Sequence, residues 1–226
     1  MKNILFVLTS NDKMGDTDNK TGFWVEEFAA PYYKLTDAGY NVTLASPKGG
    51  QPPIDPNSDT EDAATEATKR FDKDEATQKV LATTTKLSEI DQKDFDAVFY
   101  PGGHGLLWDL VEDKTSQKLI ESFYANNKPI SFVCHAPAIL KNIHDTNGNA
   151  LVKGRKVTGF TNGEEAAVQL TNVVPFLIED MMKEKGANYS KIGDWEPYAL
   201  EDGLLITGQN PASSSKVADL LMKKLK

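Results

Sequence analysis

Cysteine is nearly absent from this sequence: one residue, Cys134, in 226. A single thiol forms no intrachain disulfide, so the fold must rest on its core, and a reducing cytoplasm is the expected home for the chain. Histidine is almost as scarce, with three residues, and no spacing among them suggests a zinc site, so neither a metal nor a cofactor is expected. Long apolar runs are missing as well. Nothing approaches the ~20 residues that span a bilayer, and "MKNILFVLTSND" turns polar after a few residues without a cleavage pattern, which makes it a first strand rather than a signal. Positive charge is in deficit, with 25 Lys and Arg against 33 Asp and Glu and a formal net charge of -8. That balance, with no basic cluster interleaved with aromatics, excludes nucleic acid as an expected partner.

What is present is an alternation. "NILFVLT" (Asn3 to Thr9), "NVTLAS" (Asn41 to Ser46), "DAVFYPGG" (Asp96 to Gly103), "PISFVC" (Pro129 to Cys134) and "GLLITG" (Gly203 to Gly208) are short apolar runs bounded by turn formers, the pattern of buried strands. Between them lie helical stretches. "WVEEFAAPYYKLTDAGY" closes on Gly39, and "TSQKLIESFYANN" sets Leu119, Ile120, Phe123 and Tyr124 on one face. Continuous apolar strands joined by helices predict an α/β, doubly wound, mostly parallel sheet with helices on both faces. The stretch from about 47 to 92 breaks the rhythm. It is polar, acidic and rich in Pro and Gly, with hardly an apolar stripe between Asp62 and Lys73, and reads as a small inserted cap or flap on a single domain spanning 1–226.

Cys134 falls where "ISFV" ends and "HAPAIL" begins a predicted helix, with Pro137 in its first turn. A strand-to-helix turn of this kind presents a side chain above the carboxyl edge of the sheet. The adjoining helix N-terminus is expected to favour thiolate over thiol. The plainer alternative is a small buried hydrophobe; His135 and the location argue against it. "VFYPGGHG" (Val98 to Gly105) ends the preceding strand with glycines that let backbone N–H groups approach a ligand. Both loops map to the carboxyl ends of strands, where open α/β sheets bind ligands.

"NKTGFWVEEFAAPYYKL", "YPGGHG", "FVCHAPAIL", "VTGFTNGEE" and "GDWEPYALEDGLLITGQNPAS" together resemble the ThiJ/PfpI superfamily, whose members share the flavodoxin-like core of class I glutamine amidotransferases, and within it the glyoxalase III and heat-shock chaperone subgroup. The resemblance implies Cys134 as nucleophile and His135 as its acid/base partner. It points to an acidic residue in "GFTNGEE" as the third member. Thr161 and Glu164 have capping-box spacing, and the resemblance favours Glu165 over Glu164 as the residue that orients His135. From "TGFWVEEF" it selects Glu27, whose carboxyl, pressed against sulfur and apolar walls, is expected to have a raised pKa; Glu26 reads as a solvated helix-surface charge. Backbone N–H groups of Gly103 and His135 are implied as oxyanion donors and Trp195 as a pocket wall. His104 reads either as a second wall or as a satisfied loop histidine, and His144 as a surface residue in a polar turn.

The activity so implied is a cofactor-free, glutathione-independent glyoxalase acting on methylglyoxal or related 2-oxoaldehydes, or on glycation adducts, through a cysteine hemithioacetal. A holding chaperone or redox-sensing stress protein, or a cysteine peptidase or amidase, are the alternatives. The resemblance also implies a homodimer.

Overall fold

A computed structural model describes residues 1–226. Its sheet grows outward from β1 (Asn3–Val7). After α1 (Val25–Asp37) the chain adds β2 (Asn41–Ser46), then passes through α2 (Glu66–Phe71) and α3 (Glu75–Leu81) to the short β3 (Thr85–Lys86). It then returns to the other side of β1 with β4 (Ala97–Tyr100), followed by α4 (Lys114–Ala125) and β5 (Ile130–Val133). β6 (Lys156–Val157), α5 (Asn162–Ala167), α6 (Ile178–Glu184) and β7 (Asn188–Tyr189) form an excursion in which β6 and β7 pair only with each other. β8 (Ala199–Asp202), β9 (Leu205–Gly208) and α7 (Ser214–Leu225) complete the chain. The sheet order is β3-β2-β1-β4-β5-β9-β8, parallel except for the antiparallel edge strand β8.

The alternation of side chains along the strands divides the core into two layers. Phe6 stacks on Phe99 at 4.7 Å and meets Phe28 of α1 edge-on, whereas Tyr100 stacks on Phe132 and shares a 2.9 Å hydrogen bond with Ser116 of α4. Since residues 99 and 100 point to opposite faces, α1 and α4 cover opposite sides of the sheet. Ile4 to Val7, Ala97 to Tyr100 and Ile130 to Val133 are all buried. Each large apolar side chain so buried contributes about 1.5–3 kcal/mol. The doubly wound expectation therefore holds, and the winding reverses between β1 and β4, the crevice such sheets use for ligands.

Two expectations need correction. The segment 47–92 is not simply a cap: Thr85 and Lys86 pair with Ala45 and Ser46 as the edge of the main sheet, and Phe71 and Leu81 enter the core. A one- or two-turn helix needs a single large anchor rather than a stripe, and Phe71 meets Phe28 edge-on at 5.5 Å. The stretch after Cys134 is also not an α-helix but a 3₁₀ helix, Ala136–Asn142. No helix is long and apolar enough to cross a membrane.

Candidate active site

Cys134 adopts φ 61°, a left-handed conformation that costs a non-glycine residue about 1–3 kcal/mol. Its backbone is fixed on both sides: the N–H donates to Gly208 O at 2.9 Å and the carbonyl accepts from Phe160 N at 2.9 Å. The strained elbow is thus held between β9 and the segment leading to α5. It turns Sγ to 3.3 Å from Nδ1 of the next residue, His135.

His135 continues the chain of contacts. Its Nε2 lies 2.8 Å from Glu165 Oε2, and the other carboxylate oxygen lies 2.7 Å from Nε2 of His104. Burial pushes the Glu165 carboxyl up, but the two imidazoles outweigh it and hold the group well below the usual carboxylate range. An ionised Glu165 accepts, so both Nε2 atoms carry protons and Nδ1 of His135 is left as an acceptor facing the thiol. Burial and then His104 lower the His135 pKa; the ring is neutral and free to take a proton. Phe160 lies over it at 4.2 Å.

Glu164 has a different occupation. Its Oε2 accepts from Thr161 N at 2.9 Å while the Thr161 hydroxyl accepts from Glu164 N, a reciprocal cap on α5. Its Oε1 also accepts from Trp195 N, Gln209 and Asn210. One residue further along the helix, the carboxylate points instead at the two histidines.

Glu27 reaches the elbow from α1. Trp24 N–H donates to Gly102 O at 3.2 Å and Gly102 N–H donates to Glu27 Oε2 at 2.7 Å, so the loop after β4 and the start of α1 are fastened together. A Cβ on Gly102 would lie 2.5 Å from Glu27 Oε2 and 2.9 Å from His135 N, which is why only glycine permits this approach. Glu27 is 0% exposed, and burial pushes its pKa up to about 8 against the opposing pull of Cys134 and the Gly102 N–H. Its Oε1 has no hydrogen-bond partner; the carboxyl and sulfur are coupled without an aligned bond between them.

The thiol departs from expectation. Cys134 is 3% exposed, and burial, followed by the charge of Glu27, raises its pKa well above the ordinary thiol value. Burial and the neighbouring carboxyl thus oppose the thiolate that the turn by itself favours, surroundings that the sequence does not display.

The remaining expected residues are placed as follows. Gly103, φ 99°, follows Gly102, and neither its N–H nor that of His135 donates to a protein acceptor. His104 is buried at 3.8 Å from the His135 ring, a satisfied histidine that also lines a cavity of about 520 Å³ with Trp24, Asn19 and Asn57. Trp195 is 47% exposed and packs edge-on against Phe160 at 5.7 Å. His144 is exposed, 3.6 Å from Glu121. Glu26 is not a solvated charge: it is half-buried and accepts from the Thr65 hydroxyl, because the 47–92 segment folds over it. Sequence spacing carries no signal for the link from His104 to Glu165 or for the packing of Phe160 on His135. His104, His135 and Glu165 also place donor atoms within 4.8 Å of one another, the one cluster able to offer a cation three ligands, although each Nε2 already faces Glu165.

Comparison with known proteins places these features in context. The model of the DJ-1/PfpI family matches residues 20–224. Glyoxalase 3 of Candida albicans is 33% identical over 97% of this chain and 96% of its own length, and a glutathione-independent glyoxalase of Saccharomyces cerevisiae is 32% identical over 96% and 95%. Among solved structures, the 24 kDa rapid encystment protein of Francisella tularensis superposes with TM-score 0.95 at 38% identity, covering all of both chains. Glyoxalase III of Candida albicans gives TM-score 0.90 at 32% identity over 99% of this chain and 97% of that one.

Proposed function

This chain belongs to the DJ-1/PfpI family, and on that premise we propose that it is a glutathione-independent glyoxalase that converts methylglyoxal and related 2-oxoaldehydes to 2-hydroxy acids. The observation that carries the proposal is the fully buried Glu27, raised to about 8, set against a strained cysteine that also faces a histidine–carboxylate pair.

As Sγ adds to the aldehyde carbon, Nδ1 of His135 takes the thiol proton, and the N–H groups of Gly103 and His135 receive the developing oxyanion. Return of the proton to that oxygen gives the hemithioacetal. In the fraction of molecules whose Glu27 has lost its proton to solvent, the carboxylate then removes the C1 proton; the C–H electron pair forms the C1–C2 double bond and the C2 carbonyl pair moves onto its oxygen, giving an enediolate. A carboxyl of raised pKa is a stronger base once ionised, and about 8 is close to operating pH. Glu27 delivers that proton to C2 while the C1 hydroxyl proton passes to the C2 oxygen, leaving the thioester of the 2-hydroxy acid: C1 is oxidised and C2 reduced within one molecule. Water cleaves the C–S bond, releasing the 2-hydroxy acid and restoring the thiol. Cys134 thereby does the work that free glutathione would otherwise do. The cavity lined by His104 and Trp24 meets this site only through His104, whose Nε2 lies 2.7 Å from Glu165, and it has room for a small carbonyl compound; Cys134 itself does not line it. A redox-sensing thiol would be accessible and of low pKa; Cys134 is neither.

The test is to supply methylglyoxal without glutathione and with EDTA present, and follow both substrate and lactate by NMR. One lactate formed for each methylglyoxal consumed, at a rate proportional to protein, is expected; consumption without lactate would sink the proposal.

A further inference from the structure

A second, smaller cavity of about 260 Å³ lies between Trp24 and Trp195 and is completed by Glu26, Ala63, Thr65 and the turn at 210–212. Glu26 is the only charged side chain lining it, and none of the lining residues is basic. One Glu26 oxygen accepts from the Thr65 hydroxyl, and burial pushes the carboxyl's pKa up, as befits a carboxylate short of a countercharge. Indole faces attract cations, tryptophan most strongly of the aromatic side chains. A partly desolvated carboxylate in a cavity lined by two tryptophans therefore discriminates by charge, and the chain's net charge of -8 acts in the same direction.

We propose that this cavity binds an organic cation, the guanidinium or alkylammonium end of a ligand, between Trp24 and Trp195 with its charge against Glu26. The position borders the site already described. Trp24 N–H donates to Gly102 O, and Trp195 packs on Phe160, which covers His135. The cavity's occupancy does not depend on the glyoxalase reaction, and it is tested without turnover.

Two of the three tryptophans line the cavity, so indole fluorescence reports its filling. Butylguanidinium and butylammonium are titrated into the full-length chain carrying Cys134→Ser, with neutral butylurea as the control of like size. Saturable quenching by a cation that butylurea does not match is expected. Glu26→Gln, which keeps an oxygen for the Thr65 hydroxyl, should weaken cation binding at least about tenfold, as loss of a charge-assisted contact does. Trp195→Leu should weaken it as well. Butylurea binding as tightly as the cations, cation affinity unchanged by Glu26→Gln, or no saturable cation binding would each overturn the proposal.

Discussion

Replacing Glu27 with Gln is expected to lower glyoxalase turnover by about 10²–10⁴-fold, the usual contribution of a positioned acid/base, and at the same time to stabilise the fold. The two effects share a cause. In the folded protein the carboxyl has a pKa of about 8 against an ordinary 4.5. Below pH 4.5 it is protonated whether folded or unfolded and burial carries no ionisation penalty. Between 4.5 and about 8 the unfolded chain ionises it and the folded chain does not, so stability falls as pH rises through that window and levels off above it. At pH 7 the loss is on the order of 3 kcal/mol. Gln avoids that loss, though desolvation of its amide offsets part of the gain, so the difference in Tm between variant and parent should grow from pH 4.5 to 8. Thermal melts across that range check this, and parallel curves would contradict the buried, protonated carboxyl. A third readout separates function from fold. Ionised Glu27 raises the Cys134 pKa, so the variant's thiol should be alkylated faster at a given alkaline pH while turnover is lost.

Glu165→Gln should reduce kcat by about 10³–10⁴-fold with little change in KM, the scale seen when a triad carboxylate becomes an amide. Glu165 accepts from Nε2 of both His104 and His135. An amide has one accepting oxygen, and when it serves His104 the NH₂ group faces His135. That ring must then carry its proton on Nδ1, where N–H blocks uptake of the thiol proton. The loss should persist at every pH, because it comes from the wrong tautomer and not from a shifted titration. Near-parental kcat would remove Glu165 from the mechanism.

The fold was legible where burial is complete. β1, β4, β5 and β9 carry apolar runs because they pack on both faces, as the second half of β2 does, and such runs identify parallel strands directly. β8, "ALED", is half-exposed along its length, and the two-residue β3 has no pattern to read; both stand at sheet edges, where one side of the strand is free of neighbours. The chain-local parts of the site were legible, the elbow at Cys134 and the Gly102–Gly103 loop, whereas Glu165 was implied by the family resemblance, with the capping-box spacing of Glu164 as support. What sequence could not reveal was environment. The raised thiol pKa arises from burial and from Glu27, 107 positions away in the chain, and the pairing of His104 with Glu165 and the covering of Glu26 by Thr65 are contacts between distant segments. Pattern and spacing report which face a residue takes, not which charges it will meet there.

In the proposed reaction Sγ of Cys134 is the atom that bonds to substrate. The measurement that tests it most directly is lactate formation from methylglyoxal, without glutathione and with EDTA, by the parent chain and by Cys134→Ser side by side, with melts to confirm that both are folded. Turnover by the parent and none above background by the folded variant is the predicted result; lactate formation by Cys134→Ser at the parental rate would contradict it.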